Sequence, residues 1–190
     1  MSRLLKHQDA YGHEIFDYWR GQKGAHEIVE RDDGYVDISG GPRAYMAEYP
    51  DWPIYERQAI RFARGKTLDI GCGPGRCLLY LQKKGLTAVG IDISPLAIRV
   101  CRERGAYRAI LRSITEIGPD LGRFNTVVMF GNNFGLFGSA ARARRLLRTM
   151  ARMTTPKARI IAESTDPYQT TLPDHLAYHR RNRRRGRLPG

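Results

Sequence analysis

Cysteine, histidine and tryptophan are scarce in this chain: three, five and two among 190 residues. The three thiols, Cys72, Cys77 and Cys101, have no metal-ligand spacing. That argues against both a disulfide-framed secreted module and a structural metal domain, and no metal site is expected. No run of eighteen apolar residues occurs, so no membrane span is expected. The opening Met1-Ser-Arg-Leu-Leu-Lys-His7 is too polar for a secretory signal. A cytoplasmic chain with reduced thiols in or beside its core is the reading. Internal repeats and low-complexity linkers are also missing. Acidic residues are scarce in one half only: residues 1–97 carry 13 basic and 13 acidic side chains, residues 98–190 carry 19 and 6. The net charge of +13 therefore lies in the second half. Aromatic residues do not interleave with its arginines, so no base-stacking platform is visible, and nucleic acid is a possible but not favoured partner.

Against these shortages stands a dense local pattern. Thr67-Leu-Asp-Ile70 runs into Gly71-Cys-Gly-Pro-Gly75, and a helical pattern with Leu78, Leu79 and Leu81 follows. A strand, a glycine turn and a helix bring bare backbone and a helix N-terminus against a ligand. About twenty residues on, Ala88-Val-Gly-Ile91 ends on Asp92. An acid at the end of the second strand of such a unit is placed to hold both hydroxyls of a ribose. The dinucleotide fingerprint would need a third glycine where Arg76 stands. With no recognisable Tyr-x-x-x-Lys either, a nicotinamide-dependent reductase is disfavoured.

The remaining pattern gives an organisation. An amphipathic helix is expected at 7–20, a turn-rich stretch at 30–50, and a helix capped by Asp51 and closed by Gly65. Alternating elements follow: strands at 67–71, 87–92, 107–112, 125–130 and 158–164, helices at 75–84, 95–104 and 139–153. Ser94 caps the second of these helices, with Pro95 in its first position. On the last, Arg144, Arg145, Arg148 and Arg152 share one face, and Leu146, Leu147, Met150 and Met153 the other. Such alternation means an α/β fold, a Rossmann-like doubly wound, mostly parallel sheet in three αβα layers. Three parts are expected: an N-terminal helical cap (1–64), a core (65–170) and a basic tail (171–190).

Gly-x-Gly-x-Gly with Asp69 two residues before it, followed by Gly90-Ile-Asp-Ile-Ser94, resembles the class I S-adenosylmethionine-dependent methyltransferases over residues 65–165. The resemblance implies S-adenosyl-L-methionine as cofactor. It implies that Asp69 lies near the cofactor's amino group, directly or through water. Gly71, Cys72 and Gly73 would present backbone to its methionine and ribose portions, with Gly75 completing the turn. Asp92 would hold the ribose and Ile93 lie against the adenine. Ser113 stands where the family has an acid for the adenine amino group, and Ile114 still offers its backbone amide. Phe130-Gly131-Asn132-Asn133-Phe134 takes the place where the family lines the methyl-transfer site, without the Asn/Asp-Pro-Pro-aromatic pattern of enzymes that methylate base amines. Of the N-terminal aromatics Tyr11, Trp19, Tyr35, Tyr45 and Trp52, Tyr45 is the pick for a contact from the cap.

Family sheets continue through a sixth and a seventh strand. No strand-like alternation follows residue 164, so both are expected to be missing, the chain is expected to be a fragment, and an uncovered sheet edge would favour self-association. Should the nucleophile need a base, the candidates are His7, His13, His26, His175 and His179. A methyltransferase acting on a small molecule is the main expectation. An RNA or protein methyltransferase using the basic half, or a non-catalytic cofactor-binding remnant, stays open.

Overall fold

The computed structural model describes residues 4–38 and 40–187. Its centre is a sheet of five parallel strands, β3 (Thr67–Ile70), β4 (Ala88–Asp92), β5 (Ala109–Leu111), β6 (Phe124–Met129) and β7 (Thr154–Ala162), in the order β5-β4-β3-β6-β7. Side chains alternate across it. Leu68, Ile70, Val89, Ile91, Val127 and Met129 enter one apolar cluster with Leu146 and Met150 of a helix at Ala140–Arg152. Ala88 and Val128 enter the other, with residues of helices at Ile54–Ile60, Arg76–Lys83 and Pro95–Glu103. Both faces of the sheet are thus covered, as a parallel sheet requires. Chain order reverses at β3, which has β4 on one side and β6 on the other. A crevice at the carboxyl ends of the strands at such a reversal is where open α/β sheets bind ligands.

In chain order the helices are α1 (Ala10–Trp19), α2 (Arg43–Met46), α3 (Ile54–Ile60), α4 (Arg76–Lys83), α5 (Pro95–Glu103), α6 (Ala140–Arg152) and α7 (Pro173–Arg184). Ser94 caps α5 as expected, its hydroxyl accepting from the Ala97 amide at 3.0 Å. Asp51 does not cap α3. Trp52 precedes Pro53, the proline ring holds it extended at φ −72° and ψ 152°, and the helix starts only at Ile54. Nor does α3 run to Gly65: the Phe62 and Ala63 amides bond three residues back and end it at Ile60. On α6, Leu147 is exposed instead of sharing the buried side with Leu146 and Met150.

The expected absence of two strands is corrected: the described residues form seven. The two outside the parallel sheet precede it, β1 (Ile28–Glu30) and β2 (Val36–Ile38), an antiparallel hairpin in the stretch read as turns. The segments beginning at Ile28 and Thr165 form one compact unit, and the rest forms another. Within the smaller unit the arginine-rich stretch is largely helical, as α7. Arg181, Arg185 and Arg187 all reach the Asp32 carboxylate at 3.1–3.2 Å. Arg31 lies over the rings of Tyr35 and Tyr178, at 4.2 and 4.3 Å. Half of the six arginines in that stretch therefore meet an acid of the hairpin turn. At the edge of the parallel sheet, β7 contains Pro156, which has no N–H to offer a further strand. Among the described residues no helix is long and apolar enough to cross a membrane.

Candidate cofactor-binding cleft

The turn after β3 is shaped by backbone that tolerates no side chain. Gly71 has φ +73°, and a Cβ there would lie 2.2 Å from the side-chain amide of Asn133. Gly73 has φ +50°, and its Cβ would meet the Tyr11 hydroxyl at 2.4 Å. Glycine alone takes such angles without strain. The Asn133 amide donates to the carbonyls of Ile70 and Gly71 at 3.1 and 3.0 Å, tying the end of β3 to the chain beyond β6.

The turn borders a cleft of about 450 Å³. Asp69, Gly71, Cys72, Gly73, Asp92, Ile93, Ser113, Ile114, Gly131 and Tyr45 all line it. Gly75 and Asn132 do not. Gly75 takes φ +89° before α4, and a Cβ there would run into Cys101. Asn132, with φ 62°, stands at the head of a short 3-10 helix, Asn133–Phe137. None of the five histidines is on the lining. His175 is instead packed edge-on to Tyr35 in the smaller unit.

Two acids dominate the electrostatics. Asp69 is fully buried, and its Oδ2 has no hydrogen-bond partner. Burial raises its pKa to about 7; nearby Asp92 adds to the rise, while Arg76 and the Leu78 amide in the first turn of α4 oppose it. Asp92 accepts the Gly73 amide on Oδ2 and the Ser94 amide on Oδ1, both at 2.9 Å. Burial raises its pKa too, against the pull of the Ser94, Gly73 and Ile93 amides. Each of its oxygens keeps a lone pair for a further donor.

Tyr11 was a general lid candidate in the sequence, and the structure puts it on the lining, edge-on to Tyr45 with ring centroids 5.1 Å apart. It is held there by Asp9, the N-cap of α1, which is buried and accepts from the Gly12 amide, the Ser94 hydroxyl and the Leu96 amide at 2.9–3.1 Å. An Asp ahead of a helical pattern signals a cap, but its partners on α5 lie over eighty residues away and leave no local trace. Asp9→Ala orphans three buried donors and is expected to cost on the order of 3 kcal/mol. Urea denaturation checks this, and a loss below about 1 kcal/mol would refute it. Of the other aromatics, Trp52 enters the core, Trp19 donates to Glu103 and Tyr35 belongs to the smaller unit.

Residues 67–157 match the model of a family described as a methyltransferase domain. The core of this chain is a class I methyltransferase domain. Such domains use S-adenosylmethionine. A crystal structure of an S-adenosylmethionine-dependent methyltransferase from Bacteroides fragilis, in complex with S-adenosyl-L-homocysteine, superposes with a TM-score of 0.75 at 28% identity, over 84% of this chain and 65% of that one. A 2-heptyl-1-hydroxyquinolin-4(1H)-one methyltransferase of Mycobacteroides abscessus is 37% identical over 97 residues, 44% of this chain. A human lysine N-methyltransferase named for its ATP synthase target is 31% identical over 119 residues, 62% of this chain. The chain spans only 42% and 49% of the lengths of these two relatives.

The residues around the methyltransferase turn fit the family's cofactor. S-adenosylmethionine carries an ammonium, a sulfonium and a ribose, and no phosphate. The unpartnered Asp69 oxygen suits a cation, the spare lone pairs of Asp92 suit two hydroxyls, and the bare turn admits a chain passing close by.

Proposed function

We propose that this chain binds S-adenosyl-L-methionine and transfers its methyl group to a small-molecule acceptor by in-line displacement. The observation that carries the proposal is the pairing of a buried Asp69, one oxygen of which has no partner, with an Asp92 that retains acceptor capacity, on either side of a glycine turn at the sheet's reversal point. Asp69 holds the ammonium and Asp92 the ribose hydroxyls. The backbone at Gly71, Cys72 and Gly73 borders the methionine and ribose portions. Ile93 covers the adenine, and the Ile114 amide addresses its edge. Ser113 contributes less than the acid it replaces, because its hydroxyl is engaged in capping Ile114–Glu116. Tyr11 and Tyr45 close the cleft from the N-terminal side, and Gly131 borders the transferred group.

The bound cofactor supplies a methyl carbon already activated by its sulfonium. The protein's contribution is alignment and exclusion of water, an effect worth up to roughly 7–11 kcal/mol in favourable cases. A protein acceptor is the second reading, favoured by the lysine-directed relative. A cytoplasmic location belongs to the same proposal, since three free, buried thiols suit a reducing compartment.

Calorimetric titration with S-adenosyl-L-homocysteine tests the cofactor reading. Micromolar binding is expected, and a folded chain that gives no heat with it would overturn the site.

A further inference from the structure

Beside the cleft stands a cluster that the cofactor reading leaves unused. Glu56, on α3, is 3% exposed and receives Arg76 Nη2 on Oε1 at 2.7 Å. Its Oε2 is buried and receives no donor. The carboxyl of Glu163, the residue that follows β7, neighbours that of Glu56 and adds to the rise of its pKa. Glu163 in turn accepts the Gly131 amide at 2.9 Å and the Tyr55 hydroxyl at 3.3 Å. Arg76 and Gly131 both line the cleft. The carboxyl pair therefore abuts the stretch after β6 that borders the transferred group.

Chemistry restricts what such a pair can receive. Arg76 offsets one negative charge, and two touching carboxylates resist carrying a second without a proton or a cation between them. Burial raises the pKa of Glu56, Arg76 opposes that, and contact with Glu163 adds to it. The other titratable neighbours are Tyr55, also from α3, and the buried Cys77 thiol of α4, whose pKa Glu56 helps to raise. A phenolate or carboxylate acceptor would set an anion against Glu163. An ammonium ion brings one positive charge and three donors, and can take the place of the shared proton.

We propose that the Glu56–Glu163 pair is the acceptor subsite, and that the acceptor is an amine which binds as its ammonium ion. This inference rests on reading the cleft as a methyl-transfer site. Binding puts the ammonium between the carboxylates and releases the proton they shared. One N–H proton then passes to a Glu163 oxygen, the electron pair of that bond stays on nitrogen, and the pair returns to its one-proton state. A neutral amine with a free lone pair is left beside Gly131, and no histidine is needed.

The test uses the whole chain saturated with S-adenosyl-L-homocysteine, whose own binding is measured first. It is titrated calorimetrically at pH 6 with n-butylamine, n-butanol and butyrate, in two buffers of different ionisation enthalpy. A lysine peptide and an amino sugar follow, to separate a protein source of the amine from a small-molecule one. Butylamine is expected to bind at least tenfold more tightly than butanol or butyrate, with proton release. Glu163→Gln should weaken butylamine at least tenfold while leaving S-adenosyl-L-homocysteine within twofold, and Glu56→Gln should remove the proton release. If the homocysteine analogue binds but butylamine does no better than butanol, or binds Glu163→Gln equally well, the amine proposal is overturned and the cofactor reading stands. If the analogue does not bind the folded chain, both fall.

Discussion

Asp92→Ala is expected to lower affinity for S-adenosyl-L-homocysteine by about 100-fold or more. Two hydrogen bonds to an ionised acceptor are lost, each worth roughly 1.5–3 kcal/mol. Yet this carboxylate also ties the glycine turn to the start of α5, through the Gly73 and Ser94 amides. A loss of affinity alone would therefore not separate ribose recognition from a loosened turn. A ligand without the two ribose hydroxyls does separate them. Wild type should bind that ligand about 100-fold more weakly than the parent compound, whereas Asp92→Ala should barely distinguish the two. Equal discrimination by both proteins would leave Asp92 with a structural role only. Circular dichroism of the variant must match wild type for the comparison to count.

How much of this was legible from sequence varied with the range of the interaction. The unit from Thr67 to Glu103 could be read because its signals are local. A buried strand needs a short apolar run, a tight turn needs glycine, and a helix start needs Ser94 and Pro95, all within a few residues of one another. The hairpin at Ile28–Glu30 and Val36–Ile38 could not. Its strands are three residues long and exposed throughout, so no buried alternation marks them. Asp32-Asp33-Gly34 was visible as a turn, but not as the turn of a hairpin. The arginine-rich end read as a tail because its partner, Asp32, lies about 150 residues away in sequence. Strand β7 begins four residues earlier than periodicity suggests, since Pro156 sits beside a register irregularity opposite Phe124 and Thr126. Within the cleft, the family motifs pointed to Asp69, Gly71, Gly73 and Asp92, which line it. Asn133, Tyr11 and the Glu56–Glu163 contact depend on which elements meet in space, and nothing in their local sequence announces that.

Asp69→Asn should separate stability from binding. The folded-state pKa of Asp69, about 7, lies above the ordinary aspartate value near 4, so the folded state holds this proton more tightly than the unfolded state does. The resulting stabilisation is complete below about pH 4 and disappears as pH rises through 7. Three pKa units correspond to about 4 kcal/mol. Asparagine carries no charge at any pH. At pH 8 the variant should be more stable than wild type by a few kcal/mol, and the difference should shrink towards zero at pH 4. Chemical denaturation at the two pH values measures both. Binding should respond in the opposite sense. A cationic amino group favours ionised Asp69, so wild-type affinity for S-adenosyl-L-homocysteine should rise close to tenfold per pH unit below 7, level off above it, and be accompanied by proton release at pH 6. The variant should bind weakly at every pH and release no proton at this site. A variant that binds as well as wild type at pH 8, or that is no more stable there, would show that the buried carboxylate is not kept for the cofactor's amino group. A variant that gains stability and loses affinity would place Asp69 among the site residues whose electrostatic strain is relieved only by the ligand.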